Sequence, residues 1–203
     1  MLDTKARKYF NVFFDKTARR FLAWGLRPNH ITTAALVVGI GAGVTLYFGY
    51  PVPAVGLLWL SGFLDAVDGS MARQSEMSSP AGAMYDIVSD RIVELSIFWA
   101  LAVRYPESLY AMLALVTAVL LSMTVFLTTG MLAPKNSGKS FYYQAGLMER
   151  TEGFIASTVM MLFSQWIVLL TWLYAALIGV TIVQRLTEAV KILHNQQEEE
   201  KKS

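Results

Sequence analysis

The chain has 203 residues, of which 55% are hydrophobic and only 16% are charged, and its net charge is +2. A soluble domain usually has about a quarter of its residues charged, so this composition excludes an ordinary soluble protein and predicts one integral membrane domain. The chain contains no cysteine, which excludes disulfides, thiol catalysis and cysteine-ligated metals.

Residues 1–24 mix basic side chains with aromatic and aliphatic ones, and they are too charged for the apolar core of a signal peptide. The apolar residues that recur at helical spacing are Tyr9, Phe10, Phe13, Phe14, Ala18 and Phe21. The basic residues between them are Lys5, Arg7, Lys8, Lys16, Arg19 and Arg20. This pattern predicts an amphipathic interfacial helix on an anionic membrane surface. The alternative is an amphipathic helix that packs on the protein.

Six apolar runs, each close to the ~20 residues that a spanning helix needs, follow a break at Pro28. They lie at 30–49, 52–74, 80–103, 108–133, 148–164 and 167–191. The sequence therefore predicts an all-α membrane protein with six transmembrane helices. Its parts would be a juxtamembrane amphipathic helix over 1–24, a transmembrane domain over 25–192 and a polar, unstructured cytoplasmic tail over 193–203.

The basic residues indicate how these helices are oriented. With a cytoplasmic N-terminus, the outer turns near 50–52, 103–107 and 164–167 contain one basic residue, Arg104. The inner segments carry the basic residues of 5–27, Lys135, Lys139, Arg150, Arg185 and the tail lysines. This distribution follows the positive-inside rule.

Four acidic residues lie within the second and third predicted helices. They are Asp65, Asp68, Asp86 and Asp90. At 100° per residue, the first two are about 60° apart around their helix and the last two about 40° apart, so each pair shares a face. In the predicted topology the two pairs face each other near the cytoplasmic interface, across the short loop QSEMSS. The small residues Gly69, Ala72 and Gly82 on the same faces leave room for a ligand.

Four neighbouring carboxylates repel one another and require cations. Arg73 and Arg91 supply some positive charge. An all-oxygen site with no cysteine and no nearby histidine suits Mg²⁺ or Mn²⁺. Two such ions can clamp a diphosphate, while a carboxylate free of metal takes the proton of an attacking hydroxyl. A purely structural role is disfavoured because acids within a membrane are costly.

The spacing of these residues resembles a family signature. The stretch DAVDGSMARQSEMSSPAGAMYDIVSD, residues 65–90, has all eight fixed positions of the CDP-alcohol phosphotransferase motif D-x₂-D-G-x₂-A-R-x₈-G-x₃-D-x₃-D. The resemblance implies an enzyme that transfers a substituted phosphate from a CDP-linked alcohol, commonly CDP-diacylglycerol, to the hydroxyl of a second alcohol. The other product would be CMP.

The resemblance also implies a role for each matching residue. Asp65, Asp68 and Asp86 would bind two Mg²⁺ or Mn²⁺ ions, and Asp90 would contribute a further ligand and act as the general base. The residues placed against the cytidine diphosphate would be Gly69, Ala72, Arg73 and Gly82.

The segment RPNHIT, residues 27–32, resembles the Pro-Asn-x-x-Thr start of the family's first span. Asn29 and Thr32 would reach the nucleotide phosphates, and the alternative for Asn29 is a helix N-cap. His30 is expected to be interfacial rather than catalytic.

The acceptor is less well defined. Candidate residues for a phosphorylated acceptor on the cytoplasmic side are Lys135, Lys139, Arg150 and Arg185. Their alternative role is contact with lipid headgroups. GLMERTEGF, residues 146–154, resembles the segment that opens the fifth helix in the inositol-phosphate branch, but TTGMLAPK, residues 128–135, lacks that branch's basic pair. Inositol phosphate, glycerol phosphate, serine and inositol all remain open.

The partners expected from the resemblance are a CDP-alcohol lipid, a small acceptor, membrane lipids and a second copy of the chain, with no nucleic acid. The expected location is a bacterial or archaeal cell membrane, with the site toward the cytoplasm. A divalent-cation transporter or channel is the alternative function, although Arg73 beside the acids opposes cation passage. A non-catalytic scaffold is a third hypothesis.

Overall fold

The computed structural model describes residues 2–132, 144 and 146–200, and these residues form an all-helical protein. The α-helices are α1 (Leu2–Ala23), α2 (Pro28–Tyr47), α3 (Pro51–Gln74), α4 (Pro80–Arg104), α5 (Leu109–Leu132), α6 (Arg150–Leu162) and α7 (Ile167–Glu200). Single 3₁₀ turns, Pro106–Ser108 and Ser164–Trp166, precede α5 and α7. The predicted all-α class is confirmed.

Prolines define where three of the helices begin. Pro28, Pro51 and Pro80 occupy the first turn of α2, α3 and α4, where the missing N–H has no helical partner to lose. The first predicted span therefore starts two residues too late. Gly25 and Gly49 adopt positive φ angles of 77° and 91° in the turns before α2 and α3, a conformation that glycine adopts without strain.

Two helices differ from the sequence prediction. α6 has only 13 residues and a length of about 20 Å, which is shorter than the ~30 Å hydrocarbon core. The predicted unstructured tail is wrong as far as Glu200, because α7 continues there without interruption. No glycine or proline stops the helix after Gly179, and the residues beyond it are mostly good helix formers.

Four helical stretches of the described residues are long and apolar enough to cross a membrane. They are Pro28–Tyr47, Pro51–Gln74, Pro106–Leu132 and Ser164–Gln196. α4 is long enough, but Asp86, Asp90, Arg91 and Glu94 interrupt its apolar surface. The chain is an integral membrane protein, and its count of six spanning helices stays a prediction.

Small residues allow α2 to approach α3 and α4 closely. A Cβ on Gly39 would stand 2.8 Å from Ser61 Oγ and closer still to Val93. A Cβ on Gly43 would stand 2.8 Å from the backbone oxygen of Ser96. Because a side chain has no space at either position, α2 holds α3 and α4, and the acids that they carry, in a narrow range of positions.

α6 packs on α3 and on α7. Its Phe154 ring lies where a side chain on Gly62 of α3 would be, and Trp59 Nε1 donates to Thr158 Oγ1 at 3.0 Å. On the other side, Gly153 lies against the Tyr174 hydroxyl of α7. These contacts place the first residue of α6 beside the acids of α3.

α1 packs one face on α3. Ala18 is fully buried, the rings of Phe14 and Phe63 are 5.7 Å apart, and Ser70 Oγ donates to Asp15 Oδ1 at 2.5 Å. This is the packing that the alternative interpretation of residues 1–24 describes. Contact of the exposed basic face with a membrane surface stays a prediction.

The three turns predicted to lie on the outer side are at one end of the bundle. The Arg104 guanidinium at the end of α4 lies against Gly49 in the α2–α3 turn, and Glu107 and Trp166 line one shallow hollow. The acids lie toward the opposite end, within about 9–15 Å of the α3–α4 turn at 1.5 Å per residue.

Candidate active site

Three carboxylates meet where α3 and α4 face each other. Asp65 and Asp68 of α3 are buried and Asp86 of α4 is half-buried. Each offers one oxygen, and these oxygens all lie within 4.8 Å of one another. The predicted pairing of two acidic helix faces thus corresponds to a compact cluster of oxygens.

The cluster fits a divalent cation. Asp86 Oδ1 is buried and has no hydrogen-bond partner among the described residues. A buried carboxylate oxygen without a partner is unfavourable, and a hard cation ligated by oxygens relieves that cost. The three residues therefore have the chemistry and the spacing of an Mg²⁺ or Mn²⁺ site.

Arg150 links the fourth aspartate to the cluster. Its Nη2 donates to Asp90 Oδ1 at 2.7 Å, and its Nη1 is paired with Asp65 Oδ2. Arg73 and Arg91 were expected to supply positive charge near the aspartates, and Arg91 does act electrostatically on Asp90, but the arginine in direct contact with two of the aspartates is Arg150. Arg73 is exposed and Arg91 is paired with Glu94. The arginine among the aspartates comes from α6, 60 residues further along the chain than Asp90.

The start of α2 joins the same site. Thr32 Oγ1 donates to Asp68 Oδ2 at 2.5 Å, and Asn29 Oδ1 lies 3.5 Å from the Cβ position of Gly82. Asn29 is not the N-cap of α2, because the cap is Arg27 and the helix begins at Pro28. Asn29 and Thr32 are thus one helical turn apart on α2, with Thr32 at the acidic cluster and Asn29 beside Gly82.

His30 has a local structural contact. Its Nδ1 accepts a hydrogen bond from the backbone N–H of Arg27 at 3.4 Å, and the residue is exposed. An interfacial rather than catalytic role for His30 stays a prediction.

The small residues of the motif, Gly69, Ala72 and Gly82, lie between the aspartates and the α3–α4 turn. The Arg73 guanidinium lies 3.5 Å from the Cβ position of Gly69, so Arg73 and Gly69 are next to each other on α3. The carbonyl of Ala72 accepts from Ser78 Oγ at 3.3 Å. On α4, the backbone N–H of Gly82 donates to Ser79 Oγ at 3.0 Å.

Thr33 of α2 and Tyr85 of α4 lie beside the residues of the motif, and the sequence did not indicate either of them. Thr33 Oγ1 and the Tyr85 hydroxyl are 2.9 Å apart. Because Thr33 Oγ1 donates to the carbonyl of Asn29, the Tyr85 hydroxyl is the donor to Thr33. No motif points to this pair, and only the position of Tyr85 next to Asp86 in the sequence could have drawn attention to it.

A cavity of about 290 Å³ begins at Asp90 and extends between α3, α4, α5, α6 and α7. The charged and phenolic side chains on its wall are Asp90, Arg91, Glu94, Glu149, Arg150, Tyr174 and Arg185. This volume is at the lower end of the range of ligand pockets, and suits a small polar molecule rather than a second lipid.

Two of the four predicted acceptor residues line this cavity. Arg150 lies at the aspartates, and buried Arg185 donates from Nη1 to the Ser122 carbonyl and hydroxyl oxygens at 3.2 and 3.0 Å. The Arg185 guanidinium also lies 4.9 Å from the centroid of the Phe126 ring. Lys135 and Lys139 lie outside the described residues.

The sequence profile of the CDP-alcohol phosphatidyltransferase family matches residues 26–185. The chain belongs to this family. It is therefore a membrane-bound transferase of phospholipid biosynthesis, and family membership favours the enzyme hypothesis over the transporter and the scaffold.

Relatives of this phosphatidyltransferase include two inositol phosphate lipid synthases. The phosphatidylinositol phosphate synthase of Corynebacterium glutamicum is 29% identical over 198 residues, which cover 94% of this chain and 90% of that protein. The archaetidylinositol phosphate synthase of Aeropyrum pernix is 31% identical over 169 residues, which cover 78% of this chain and 80% of that protein.

Solved structures share the fold of this phosphatidyltransferase. The phosphatidylinositol phosphate synthase of Mycobacterium tuberculosis with CDP-DAG bound superposes with a TM-score of 0.71 at 21% identity, covering 87% of this chain and 92% of that one. The same enzyme in complex with manganese and citrate has a TM-score of 0.70 at 22% identity, covering 87% and 88%.

Proposed function

We propose that the protein transfers the phosphatidyl group of CDP-diacylglycerol to a hydroxyl of a phosphorylated polyol and releases CMP, with inositol phosphate as the preferred acceptor. The observation that carries this proposal is the position of Asp90. It lies between the three-carboxylate cluster and a cavity that contains Arg150 and Arg185.

Asp65, Asp68 and Asp86 would hold the divalent ions, and Asp90 would complete the ligands of a second one. The manganese complex of the Mycobacterium tuberculosis enzyme and the unpaired oxygen of Asp86 support this assignment. Bound there, two Mg²⁺ or Mn²⁺ ions would neutralise the diphosphate and the charge that develops on the leaving phosphate.

The CDP-DAG would lie along the motif face of α3 and the first turns of α2 and α4. Arg73 supplies positive charge to the diphosphate, and Gly69, Ala72 and Gly82 add no side-chain bulk beside it. Asn29 lies next to Gly82, where its amide can bind phosphate or sugar. Thr32 holds Asp68 by a hydrogen bond, so its role includes the orientation of that carboxylate.

Asp90 would act as the general base. It takes the proton of the acceptor hydroxyl, the hydroxyl oxygen attacks the phosphorus that carries the diacylglycerol, and the bond from that phosphorus to the oxygen of CMP breaks. Arg150 Nη2 donates to Asp90 Oδ1, which holds the carboxylate in position for this step.

Arg150 and Arg185 would bind the phosphate of the acceptor, with Lys135 and Lys139 as further candidates. A guanidinium binds phosphate in a bidentate manner. The names of the bacterial and archaeal relatives favour inositol phosphate over glycerol phosphate, serine and free inositol. The cavity volume supports a small acceptor.

The membrane arrangement is part of the proposal. α2 to α7 would form a six-helix catalytic domain over residues 25–192, with 1–24 at the membrane interface, 193–203 as a polar cytoplasmic extension and the site toward the cytoplasm. The bacterial and archaeal relatives support a cell membrane as its location. A homodimer through membrane helices is a further expectation, which cross-linking of the purified protein tests.

The test is CMP release by the purified protein from CDP-DAG and Mn²⁺ or Mg²⁺, with inositol phosphate, glycerol phosphate, serine and inositol offered in parallel. We expect inositol phosphate to give the highest kcat/KM and a chelator to stop turnover. CMP release with serine or free inositol but not with a phosphorylated polyol would contradict the proposed acceptor class. No CMP release with any acceptor would contradict the proposed reaction.

A further inference from the structure

A second polar cluster lines the cavity beyond Asp90. Glu94 follows Asp90 by four residues on α4, so its side chain points to the same side about 6 Å further along the helix. Arg91 Nη1 is paired with Glu94 Oε2, and the Tyr174 hydroxyl of α7 interacts with the Glu94 carboxylate. All three residues line the cavity that also contains Arg150 and Arg185.

The cluster is held in place by its surroundings. Tyr174 is only 4% exposed, and its ring packs edge-to-face against Phe98 with centroids 6.2 Å apart. A Cβ on Gly153 would stand 2.9 Å from the Tyr174 hydroxyl, so glycine leaves that hydroxyl its space. The hydroxyl and the Glu94 carboxylate are therefore fixed relative to α4 and α6.

The protein alone does not satisfy this cluster. Arg91 Nε is buried without a hydrogen-bond partner among the described residues, and the Glu94 side chain is 19% exposed on the cavity wall. Buried polar groups in native proteins are normally paired, and in a surrounding of low dielectric constant an unpaired group is especially costly. A ligand with hydroxyl groups would supply the missing partners.

The charged side chains on the cavity wall would bind different parts of a phosphorylated acceptor. The guanidinium groups of Arg150 and Arg185 attract a phosphate, whereas the Glu94 carboxylate repels it. A carboxylate accepts hydrogen bonds from hydroxyls. Glu94 lies one helical turn from Asp90, about 6 Å along the helix, so a polyol that presents its reacting hydroxyl to Asp90 can present another hydroxyl to Glu94.

We propose that Glu94, positioned by Arg91 and Tyr174, determines acceptor specificity by accepting hydrogen bonds from polyol hydroxyls that do not react. This inference rests on the proposed function, because it presumes that the cavity holds the acceptor. A site that hydrogen-bonds a substrate hydroxyl rejects an analogue without it by orders of magnitude. Glu94 thus selects a polyol phosphate with several hydroxyls over a smaller one such as glycerol phosphate.

The test compares Glu94→Gln and Tyr174→Phe with the wild type. Glu107→Gln is the matched control, since Glu107 is exposed in the turn at the opposite end of the bundle. For Glu94→Gln we expect the KM for inositol phosphate to rise about tenfold or more, while the KM for CDP-DAG stays within about twofold. The preference for inositol phosphate over glycerol phosphate should fall by a similar factor, and Tyr174→Phe should have a smaller effect in the same direction.

Other outcomes decide against the inference. An unchanged acceptor preference in Glu94→Gln, or a lower kcat with unchanged KM for the acceptor, would mean that Glu94 only supports the fold. If Glu94→Gln does not fold, Tyr174→Phe decides alone, because it keeps the ring packing on Phe98 and removes only the hydroxyl.

A binding assay separates this inference from the proposed reaction. The rise in Tm on addition of inositol phosphate is measured for wild type and Glu94→Gln, without CDP-DAG. If the wild type is stabilised but does not release CMP, the proposed reaction fails, while loss of stabilisation in Glu94→Gln still supports the role of Glu94. If the wild type neither binds nor uses any polyol phosphate, both are wrong.

Discussion

Asp90 contacts the Arg150 guanidinium and also lines the cavity between α3, α4, α5, α6 and α7, a position between the carboxylate cluster and the proposed acceptor site. We predict that Asp90→Asn lowers CMP release by about 10²–10⁴-fold, the usual contribution of a general base. Because the amide keeps the size of the carboxylate, CDP-DAG should still raise the Tm of the variant.

Asp15→Asn is the matched control, since Asp15 bonds to Ser70 at the α1–α3 contact and has no part in the proposed chemistry. Full activity of Asp90→Asn would refute the assignment of Asp90 as the base. Loss of CDP-DAG binding together with activity would instead mean that Asp90 acts mainly in holding the metal and nucleotide.

Arg150 supplies the positive charge between Asp65 and Asp90. We predict that Arg150→Met lowers the Tm strongly in a chelator and much less in Mn²⁺, because a divalent ion can replace the lost counter-charge. Removal of Arg150 leaves the buried Asp65 carboxylate without its partner, which is destabilising. Thermal unfolding in detergent with EDTA or with Mn²⁺ measures the difference, and an equal loss of Tm in both conditions would contradict this role of Arg150.

α2 carries glycines whose surroundings differ sharply. A Cβ on Gly43 would press on the backbone of Ser96 in α4, whereas nothing lies within 4 Å of the Cβ position of Gly41. We predict that Gly43→Ala destabilises the protein by about 1–3 kcal/mol and lowers activity, because α4 moves away from α2 and takes Asp86 and Asp90 with it.

Gly41→Ala is the control on the same helix, and we expect it to be neutral or slightly stabilising, since alanine has the higher helix propensity. Thermal unfolding and CMP release of both variants check the prediction. If Gly43→Ala unfolds at the wild-type temperature with full activity, the α2–α4 contact does not hold the acids in place.

The sequence predicts the boundaries of a helix well where local residues such as proline mark them. The prolines at 28, 51 and 80 and the apolar runs were enough to place α2, α3 and α4 within a few residues, because local backbone chemistry decides those boundaries. The motif spacing was enough to bring Asp65, Asp68 and Asp86 together across one short turn. The range of α6 was predicted within two residues at each end, but the continuation of α7 to Glu200 was not, since apolar composition alone does not mark where a helix stops.

The contact of Arg150 with two aspartates depends on tertiary packing. It requires α6 to dock on α3 through Phe154 at Gly62 and Thr158 at Trp59, and no periodicity in the sequence reports such a pairing of distant helices. The Glu94–Tyr174 contact has the same origin, because it joins α4 to α7. Contacts between helices that are far apart in the sequence are therefore found from the structure, whereas the residues of one motif can be found from the sequence.

The whole molecule has two chemically different ends, and its orientation in the membrane can be measured directly. Because the chain lacks cysteine, single cysteines report their own accessibility without a background. Ser78 lies in the turn next to the acids and Glu107 in the turn at the opposite end, and both are exposed.

With the acids toward the cytoplasm, a membrane-impermeant maleimide should label Glu107→Cys in intact cells and Ser78→Cys only after the cells are opened. The reverse pattern would place the site on the outer face and contradict the orientation that the basic residues of the inner segments predict. Labelling of both positions in intact cells would contradict a bundle that spans the membrane between the two turns.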